Sequence, residues 1–424
     1  MTHFGRTRRS PPTWLLAAGL TLAAVPTAAA EPTPTVLRAQ RIHLAPNAAP
    51  IDDGIVLMQG GKIVAVGPRS TVTIPTGARD LGCAAGVVAA GFQNSHVHFI
   101  GPAFANAERQ PAAALEGRMA EMLTRHGFTT VVDTSSSRVD TLALRSRIDS
   151  GTLRGPRILA VGAPLFPPNG LPFYLANLPK AVLDTLPQPA TPEAATALVR
   201  ANLDAGADGT KLFVATPQAN GSVKHMPVPI ARAAADETHR GGKLVMAHPT
   251  NVDGLQAALA AEVDVLLHTT LGVVQPWPEA LVGQLVARKT ALVPTLKLWP
   301  YELAKARVPD AVRQRLVGAT LAQLKQYADA GGQVLFGTDV GYMEDFDPTD
   351  EYLLMARAGL TPTQILDSLT TAPAARWNEA GRRGRVAAGQ DADLVVLEGD
   401  PLSDARQFAK VRCTIRGGAV IHGQ

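Results

Sequence analysis

Short apolar runs alternate with alanine-rich stretches through the middle of this chain, and that alternation restricts its fold more than any other feature. The apolar runs are rich in β-branched residues, and the stretches between them are about 10 to 20 residues long, which is typical of βα units around a parallel sheet. Eight strands are predicted, at residues 87–91, 128–133, 157–161, 209–214, 244–248, 263–268, 291–295 and 334–339. The pattern therefore predicts an α/β fold with a closed (β/α)8 TIM barrel.

The two ends of the chain have a different pattern. Over residues 35–88, and again at 392–397 and 414–421, short β-type segments are divided by turn glycines such as Gly60-Gly61, which favours antiparallel hairpins. Segments at opposite ends of a chain can complete one sheet, so we predict a small composite β-sandwich domain formed by both ends. The predicted boundaries are 31–90 for its N-terminal part, 91–380 for the barrel and 381–424 for its C-terminal part.

The first thirty residues form a separate segment. Three arginines precede an apolar run over residues 14–25, and small residues lead to Ala30. This is the layout of a secretory signal peptide, and the run is too short for a mature membrane anchor. We predict a signal peptide over residues 1–30, cleaved near Ala30, and an exported protein, either periplasmic or secreted. A membrane anchor or a disordered basic tail is the alternative.

Charge limits the partners of this chain. The 424 residues carry a formal net charge of +4, and removal of the three arginines in the predicted signal peptide takes it to +1. A near-neutral mature protein gives no reason to expect nucleic acid or an anionic membrane as a partner, and a small-molecule substrate fits better. The sequence leaves a homo-oligomer open.

Two cysteines, Cys83 and Cys413, lie near opposite ends of the mature chain. An exported protein meets conditions in which disulfides form. Both a disulfide between them and two separate buried thiols fit the sequence.

Metal-type side chains recur where the predicted barrel strands end. Side chains at the C-terminal ends of such strands converge on one pocket, and imidazole nitrogens and carboxylate oxygens are the usual ligands of zinc and similar ions. A single His-X-His pair is weak evidence, but a succession of such residues in strand order makes coincidental core histidines the weaker alternative. The candidate metal ligands are His96, His98, Lys211, His248, His268 and Asp339.

Four motifs carry a more specific signal. They are Gly91-Phe92-Gln93-Asn94-Ser95-His96-Val97-His98, Gly127-Phe128-Thr129-Thr130-Val131-Val132-Asp133, Gly209-Thr210-Lys211-Leu212-Phe213 and Gly337-Thr338-Asp339. Together with the closing segment 389–397 they resemble the amidohydrolase superfamily over nearly all of residues 35–421. Within it, the chain is most similar to the imidazolonepropionase-like and Xaa-Pro dipeptidase-like branch.

The resemblance implies a binuclear site with two zinc ions. One ion would be held by His96, His98 and Asp339, and the other by His248 and His268. A carbamylated Lys211 would bridge them, because a free ammonium group has no lone pair for a metal. A plain lysine beside a mononuclear site is the alternative. Asp339 would also act as the general acid/base on a metal-activated water.

The function that follows is hydrolysis of a C–N bond in a small substrate such as a dipeptide, an N-acyl amino acid or a cyclic amide. A lactone, ester or phosphoester hydrolase on the same metal site is an alternative, and so is a non-catalytic binding or scaffold barrel. Two other features stay open. The segment from Pro164 to Pro192 is a candidate lid or an ordinary surface excursion, and Lys297 is a candidate for binding a substrate carboxylate or a solvated side chain.

Overall fold

A computed structural model of the chain describes residues 1–3, 5, 10, 32–83, 85–271 and 276–423. Most of the predicted signal peptide, including the cleavage site near Ala30, lies outside these residues. Residues Thr33–Gln424 form one unit and Met1–Pro32 another. Within the described part of the chain, no helix combines the length and apolarity needed to cross a bilayer.

Most strands are short. In chain order they are β1 Thr35–Ile42, β2 Ile51–Gln59, β3 Lys62–Pro68, β4 Arg79–Asp80, β5 Val87–Ala90, β6 Phe92–Val97, β7 Phe128–Asp133, β8 Arg157–Ala160, β9 Gly209–Phe213, β10 Ala215–Pro217, β11 Val223–His225, β12 Leu244–His248, β13 Val265–Leu267, β14 Ala291–Val293, β15 Leu394–Leu397, β16 Val411–Arg416 and β17 Ala419–His422.

Helices fill the intervals between the middle strands. They are α1 Ala112–Met122, α2 Arg138–Asp149, α3 Lys180–Leu183, α4 Pro192–Asp204, α5 Val228–Arg240, α6 Val252–Ala260, α7 Glu279–Ala287, α8 Leu298–Lys305, α9 Asp310–Asp329, α10 Thr349–Arg357, α11 Pro362–Leu369 and α12 Thr371–Arg376. Helix α11 begins with a capping box between Thr361 and Gln364, as the sequence predicts.

Strands from both ends of the chain share one eight-stranded sheet. Its order is β17-β16-β15-β5-β1-β2-β3, with β4 paired to β1. β5 pairs in parallel with β1 and antiparallel with β15, so it joins the N-terminal strands to the C-terminal ones. The turn between β2 and β3 uses Gly60 and Gly61 at φ 57° and 77°, a left-handed conformation that glycine adopts without strain. Whether this sheet belongs to a separate sandwich domain stays a prediction.

The middle strands are parallel and run in two sheets, β6-β7-β8 and β9-β12-β13-β14. Their inward side chains form a layer of buried aliphatic residues that includes Val132, Leu159, Met246, Leu267 and Val293. Their other faces pack on the helices. The chain thus has the α/β core predicted from its βα pattern, with the carboxyl ends of the parallel strands at one edge.

The first predicted barrel strand was wrong. Residues 87–90 form β5, which belongs to the end sheet, and the first strand of the parallel core is β6. The chain changes sheets at Gly91, whose N–H donates to the carbonyl of Asp393. A Cβ at Gly91 would lie 2.3 Å from Thr129 Oγ1, so only glycine fits this crossing.

A closed barrel was also predicted, but the described strands form no single closed sheet. The eighth predicted strand, residues 334–339, is called the eighth segment below; it makes an isolated bridge from Val334 to Leu292, and Val340 just beyond it bridges Val97. Its backbone hydrogen bonds are divided: Leu335 N–H donates to Leu292 of β14, the Phe336 carbonyl accepts from Ser95 of β6, and Phe336 N–H donates to Ser368 of α11. No continuous ladder therefore joins this segment to either neighbouring strand among the described residues.

Cys83 and Cys413 form a disulfide across the end sheet. Their Cα atoms are 6.1 Å apart, and 330 residues separate them in sequence. Of the two arrangements that the sequence left open, the structure has the disulfide, and it joins the N-terminal and C-terminal contributions to one buried cluster.

Candidate metal centre

All six predicted ligands lie at the same edge of the parallel core. β6 carries His96 and is followed by His98, while Lys211 lies in β9. His248 is the last residue of β12, and His268 directly follows β13. Asp339 lies on the eighth segment, where its N–H donates to the carbonyl of His96 and so places it beside the first strand. Their roles as ligands are proposed below.

Four histidine rings form a chain of contacts across this edge. The ring centroids are 5.1 Å apart for His96 and His98, and 4.8 Å apart both for His96 and His268 and for His248 and His268. Ligand atoms of His96, His268 and Asp339 lie within 4.8 Å of one another, so these three residues could hold an ion. This grouping differs from the division implied by the resemblance, which places His268 on the other ion.

Ring nitrogens and a carboxylate oxygen converge more closely still. His96 Nε2 is 3.2 Å from His98 Nε2, and Asp339 Oδ1 is 3.3 Å and 2.8 Å from those two nitrogens. Despite these distances, Asp339 Oδ1 is buried without a hydrogen bond among the described residues, because neither approach has the required direction. Four-coordinate zinc with bonds of 2.0–2.1 Å to nitrogen sets ligand atoms about 3.3 Å apart. The donor set and its spacing therefore fit a divalent metal.

Burial favours the neutral form of three histidines of the cluster and of Lys211. It lowers the pKa of His248 to about 3 and holds the pKa values of His96 and His268 well below the usual value, with the neighbouring histidines and Lys211 adding to the effect. Burial likewise lowers the pKa of the Lys211 amine to about 7. Neutral imidazole is the form that binds a metal.

Hydroxyl groups contact the outer nitrogens of two of these rings. Ser135 Oγ is 3.2 Å from His98 Nδ1, and Thr295 Oγ1 is 2.6 Å from His268 Nδ1. Outer partners of this kind orient metal-binding histidines. Neither residue was predicted from the sequence; the available signal was only that each lies just beyond the end of a parallel strand.

The backbone is strained at this edge. Four residues other than glycine lie in the left-handed region, and they are Thr250 at φ 58°, His268 at 74°, Thr295 at 42° and Asp339 at 59°. Each follows one of the parallel strands or the eighth segment. Such conformations cost about 1–3 kcal/mol each and cluster at functional sites.

Aromatic rings flank the cluster on one side. Phe213 stacks on Phe166 at 4.5 Å and lies 5.1 Å from the ring of His248, and Lys211 Nζ is 4.7 Å from the centre of its ring. Phe166 belongs to the segment from Pro164 to Pro192. Tyr174 of the same segment contacts the ring of Tyr342, just after Asp339, at 5.8 Å. This segment therefore lies beside the cluster, as the lid hypothesis requires, although its motion stays a prediction.

The sequence left two roles open for Lys297, binding of a substrate carboxylate or a solvated side chain, and the structure gives it a different one. Its side chain is 5% exposed, and its Nζ lies 2.8 Å from Asp345 Oδ2. It also donates to the carbonyl of Asp347. Its charge therefore holds the loop after the eighth segment, and it is neither solvated nor free for a substrate carboxylate.

A buried histidine and carboxylate cluster at the carboxyl edge of parallel strands defines an α/β protein with a candidate metal centre, and comparisons with known proteins agree. The amidohydrolase family model matches residues 87–421. Ochratoxinase of Aspergillus niger is 25% identical over 198 residues, which are 45% of this chain and 41% of that protein. The crystal structure of a Xaa-Pro dipeptidase has a TM-score of 0.78 at 22% identity, covering 92% of this chain and 100% of that one. For a putative prolidase from Bifidobacterium longum the TM-score is 0.75 at 26% identity, covering 92% and 95%.

The chain belongs to the amidohydrolase family, because the family match covers most of its length. The predictions of a TIM-barrel-like α/β core and of an amidohydrolase are confirmed at the level of the family. The family is generally metal-dependent and acts on small molecules. The match with ochratoxinase spans less than half of that protein, so the bond and the substrate of this chain are proposals.

Proposed function

We propose that this protein is a metal-dependent hydrolase that cleaves the C–N bond of a small amide, such as a dipeptide, an N-acyl amino acid or a cyclic amide. One observation carries the proposal. The Nε2 atoms of His96 and His98 and the Oδ1 atom of Asp339 converge within 2.8–3.3 Å, and the carboxylate oxygen has no hydrogen bond there. A buried unsatisfied carboxylate oxygen is costly unless a ligand completes it.

The proposed cofactor is a pair of zinc ions. His96, His98 and Asp339 would hold one ion, and His248 and His268 the other, with a carbamylated Lys211 between them. The burial of the Lys211 side chain, 1% exposed at the centre of the cluster, supports its place as a bridging ligand. Its Nζ forms no ion pair with a carboxylate among the described residues.

Asp339 supplies the proton transfer in this proposal. A divalent metal, when bound, supplies Lewis-acid activation of water and of the scissile carbonyl. The Asp339 carboxylate accepts a proton from the attacking water as the new C–O bond forms. It then gives that proton to the leaving nitrogen as the C–N bond breaks, so the carboxylate is regenerated. Its left-handed backbone at φ 59° directs the carboxylate into the cluster.

Side chains around the cluster favour an amide with an apolar portion. Phe166, Phe213 and Tyr174 present aromatic rings on one side, and Lys297 is held by Asp345. The names of similar proteins, a Xaa-Pro dipeptidase, a putative prolidase and an ochratoxinase, support an amide in preference to an ester. We therefore rank N-acyl amino acids and dipeptides with an apolar residue first.

A substrate screen tests this function. Zinc-loaded protein is incubated with pools of dipeptides, N-acyl amino acids, lactones and phosphoesters, and products are measured by mass spectrometry. Asp339→Asn is the test variant. Asp350→Asn is the matched control, since Asp350 is an exposed acid in the first turn of α10.

The expected result is amide cleavage by the parent and by Asp350→Asn, with a loss of about 100- to 10,000-fold in Asp339→Asn, the usual range for a lost general acid/base. Turnover confined to esters would overturn the amide assignment. Near-normal activity of Asp339→Asn would remove its role in proton transfer.

Export is the second part of the proposal. The disulfide between Cys83 and Cys413 supports a periplasmic or secreted location, because disulfides persist in oxidising compartments. Cell fractionation with N-terminal sequencing of the mature protein tests this location. The expected N-terminus lies near residue 31, and a full-length chain in the cytoplasm would contradict it.

A further inference from the structure

Thr295 makes the shortest hydrogen bond to any histidine of the cluster. Its Oγ1 lies 2.6 Å from His268 Nδ1, and Thr295 is fully buried. The outer nitrogen of His98 has a longer contact, 3.2 Å to Ser135, and that of His96 is buried without a hydrogen bond among the described residues. The neighbouring strands β13 and β14, at one end of the four-stranded sheet, are thus each followed by one member of this hydrogen-bonded pair.

Both members of this pair have a strained backbone. His268 has φ 74°, and Thr295, a β-branched residue, has φ 42°. A β-branched residue is a true outlier in the left-handed region, at a cost of about 1–3 kcal/mol. The surroundings hold the strain in place: His268 N–H donates to the carbonyl of Val293, and Thr269 N–H donates to that of Pro294.

Counting protons shows which arrangement satisfies both contacts of the threonine oxygen. A threonine hydroxyl has one hydrogen and can also accept. Thr295 Oγ1 lies 2.9 Å from the carbonyl of Pro294, which can only accept, and 2.6 Å from His268 Nδ1. Both contacts are hydrogen bonds only when the hydroxyl donates to Pro294 and accepts from His268 Nδ1–H. The lone pair of the ring is then on Nε2.

We propose that Thr295 is a positioning residue that holds His268 as the Nδ1–H tautomer, with the Nε2 lone pair presented to the cluster. The inference rests on the proposed metal site and adds the residue that prepares one of its ligands before an ion binds. The next residue is also held by a side chain, since Trp299 Nε1–H donates to Thr269 Oγ1 at 2.7 Å.

Two substitutions separate this role from simple packing. Thr295→Val keeps the β-branched shape and removes the hydroxyl, whereas Thr295→Ser keeps the hydroxyl and removes the methyl group. Zinc affinity is measured by competition with a chromophoric chelator, and the folded state is checked by thermal unfolding. We expect Thr295→Val to bind zinc roughly 10- to 100-fold more weakly, as is usual when the outer partner of a metal-binding histidine is lost. Thr295→Ser should bind as the parent does.

A spectroscopic measurement on the unsubstituted full chain tests the tautomer directly. After metal removal, ring-15N-labelled histidine is observed by NMR, and the His268 signals are assigned by their loss in His268→Asn. The expected result is a protonated Nδ1 and an unprotonated Nε2. A protonated Nε2 would overturn the proposal, even if Thr295→Val failed to fold.

The zinc affinities of the two variants also test the proposal. Equal zinc affinity in the parent and Thr295→Val would refute positioning by the hydroxyl, and equal losses in the Val and Ser variants would assign the effect to packing. If the parent binds no zinc, the proposed function fails, but the NMR result still decides the tautomer.

Discussion

The end sheet and the carboxyl edge of the parallel strands surround their buried carboxylates differently. Beside the end sheet, the buried Arg383 donates to Asp391 at 2.6 Å and to Asp393 at 3.0 Å. At the edge that carries the candidate site, Asp339 Oδ1 is buried without a hydrogen bond among the described residues and lies against the ring nitrogens of His96 and His98.

Backbone conformation also differs between the two regions. Turns of the end sheet place glycine at positive φ, as at Gly60 and Gly417, although Asp53 of β2 is at φ 47°. The candidate site places a histidine, two threonines and an aspartate in this region. Strained residues beside an unpaired carboxylate oxygen are typical of a functional site. Substitutions in the end sheet should therefore change stability, and those at the edge should change activity.

Metal removal should produce the largest effect, and it tests the edge that carries the candidate site. Treatment with a strong chelator should lower amide hydrolysis at least about 1,000-fold, because a metal supplies several kcal/mol of transition-state stabilisation and each tenfold corresponds to 1.4 kcal/mol. Far-UV circular dichroism should show the secondary structure retained. Restoration by added zinc is the control, and full activity in protein shown to be metal-free would refute a metal-dependent mechanism.

Arg383→Ala should have the largest effect on stability. It removes the buried cation that Asp391 and Asp393 share, and breaking such a pair typically costs about 3–5 kcal/mol in the free energy of unfolding. Denaturant titration measures this loss. Arg382→Ala is the matched control: it also contacts Asp391 but its side chain is 63% exposed, so we expect less than about 1 kcal/mol. Equal losses in both variants would contradict this view of the buried network.

Loss of the disulfide should have the next largest effect on stability. Replacing Cys83 and Cys413 together by serine should lower the free energy of unfolding by roughly 2–4 kcal/mol, because the bond closes a long loop in the unfolded chain. The kcat/KM of the folded protein should stay unchanged, since the cysteines lie in the buried cluster of the end sheet. Reduction of the parent with dithiothreitol should give the same loss. A drop in activity of the folded double variant would contradict the expectation that the end sheet affects stability and not activity.

Thr361→Ala should have the smallest effect. It removes the cap of α11, whose Ser368 carbonyl accepts from Phe336 on the eighth segment, and loss of a threonine cap costs about 1 kcal/mol. Thr361→Ser should retain the cap and the stability. We expect activity to be unchanged in both, as measured on the best amide substrate. A marked loss of activity in Thr361→Ala would mean that Asp339 depends on the support of this helix.

Features set by neighbours in sequence were predicted well. The βα alternation indicated the order of the parallel strands, and the Thr361 cap and the Gly60-Gly61 turn are local hydrogen-bonding and backbone preferences. Placement of the six polar residues at one edge followed from strand order alone, since parallel strands end on the same side.

Features set by contacts between residues far apart in the sequence were not predicted. The strand at residues 87–90 has a composition that suits either sheet, and its pairing with β1 and β15 places it in the end sheet. The eighth segment has the sequence of a strand, but its backbone hydrogen bonds are divided among β14, β6 and Ser368 of α11, so it forms no continuous ladder. The role of Lys297 also depends on Asp345, 48 residues further on, so its neighbours in sequence could not reveal it.

By itself, the sequence determined the class of fold, the family and the set of side chains that meet at one edge, because periodicity and strand order are written in local composition. The tertiary structure decided how those side chains are held: the disulfide partner, the sheet crossing at Gly91 and the hydroxyl of Thr295 on the ring of His268. Hydrogen bonds and close contacts depend on distances of a few tenths of an ångström between residues far apart in the chain, and no local pattern encodes them.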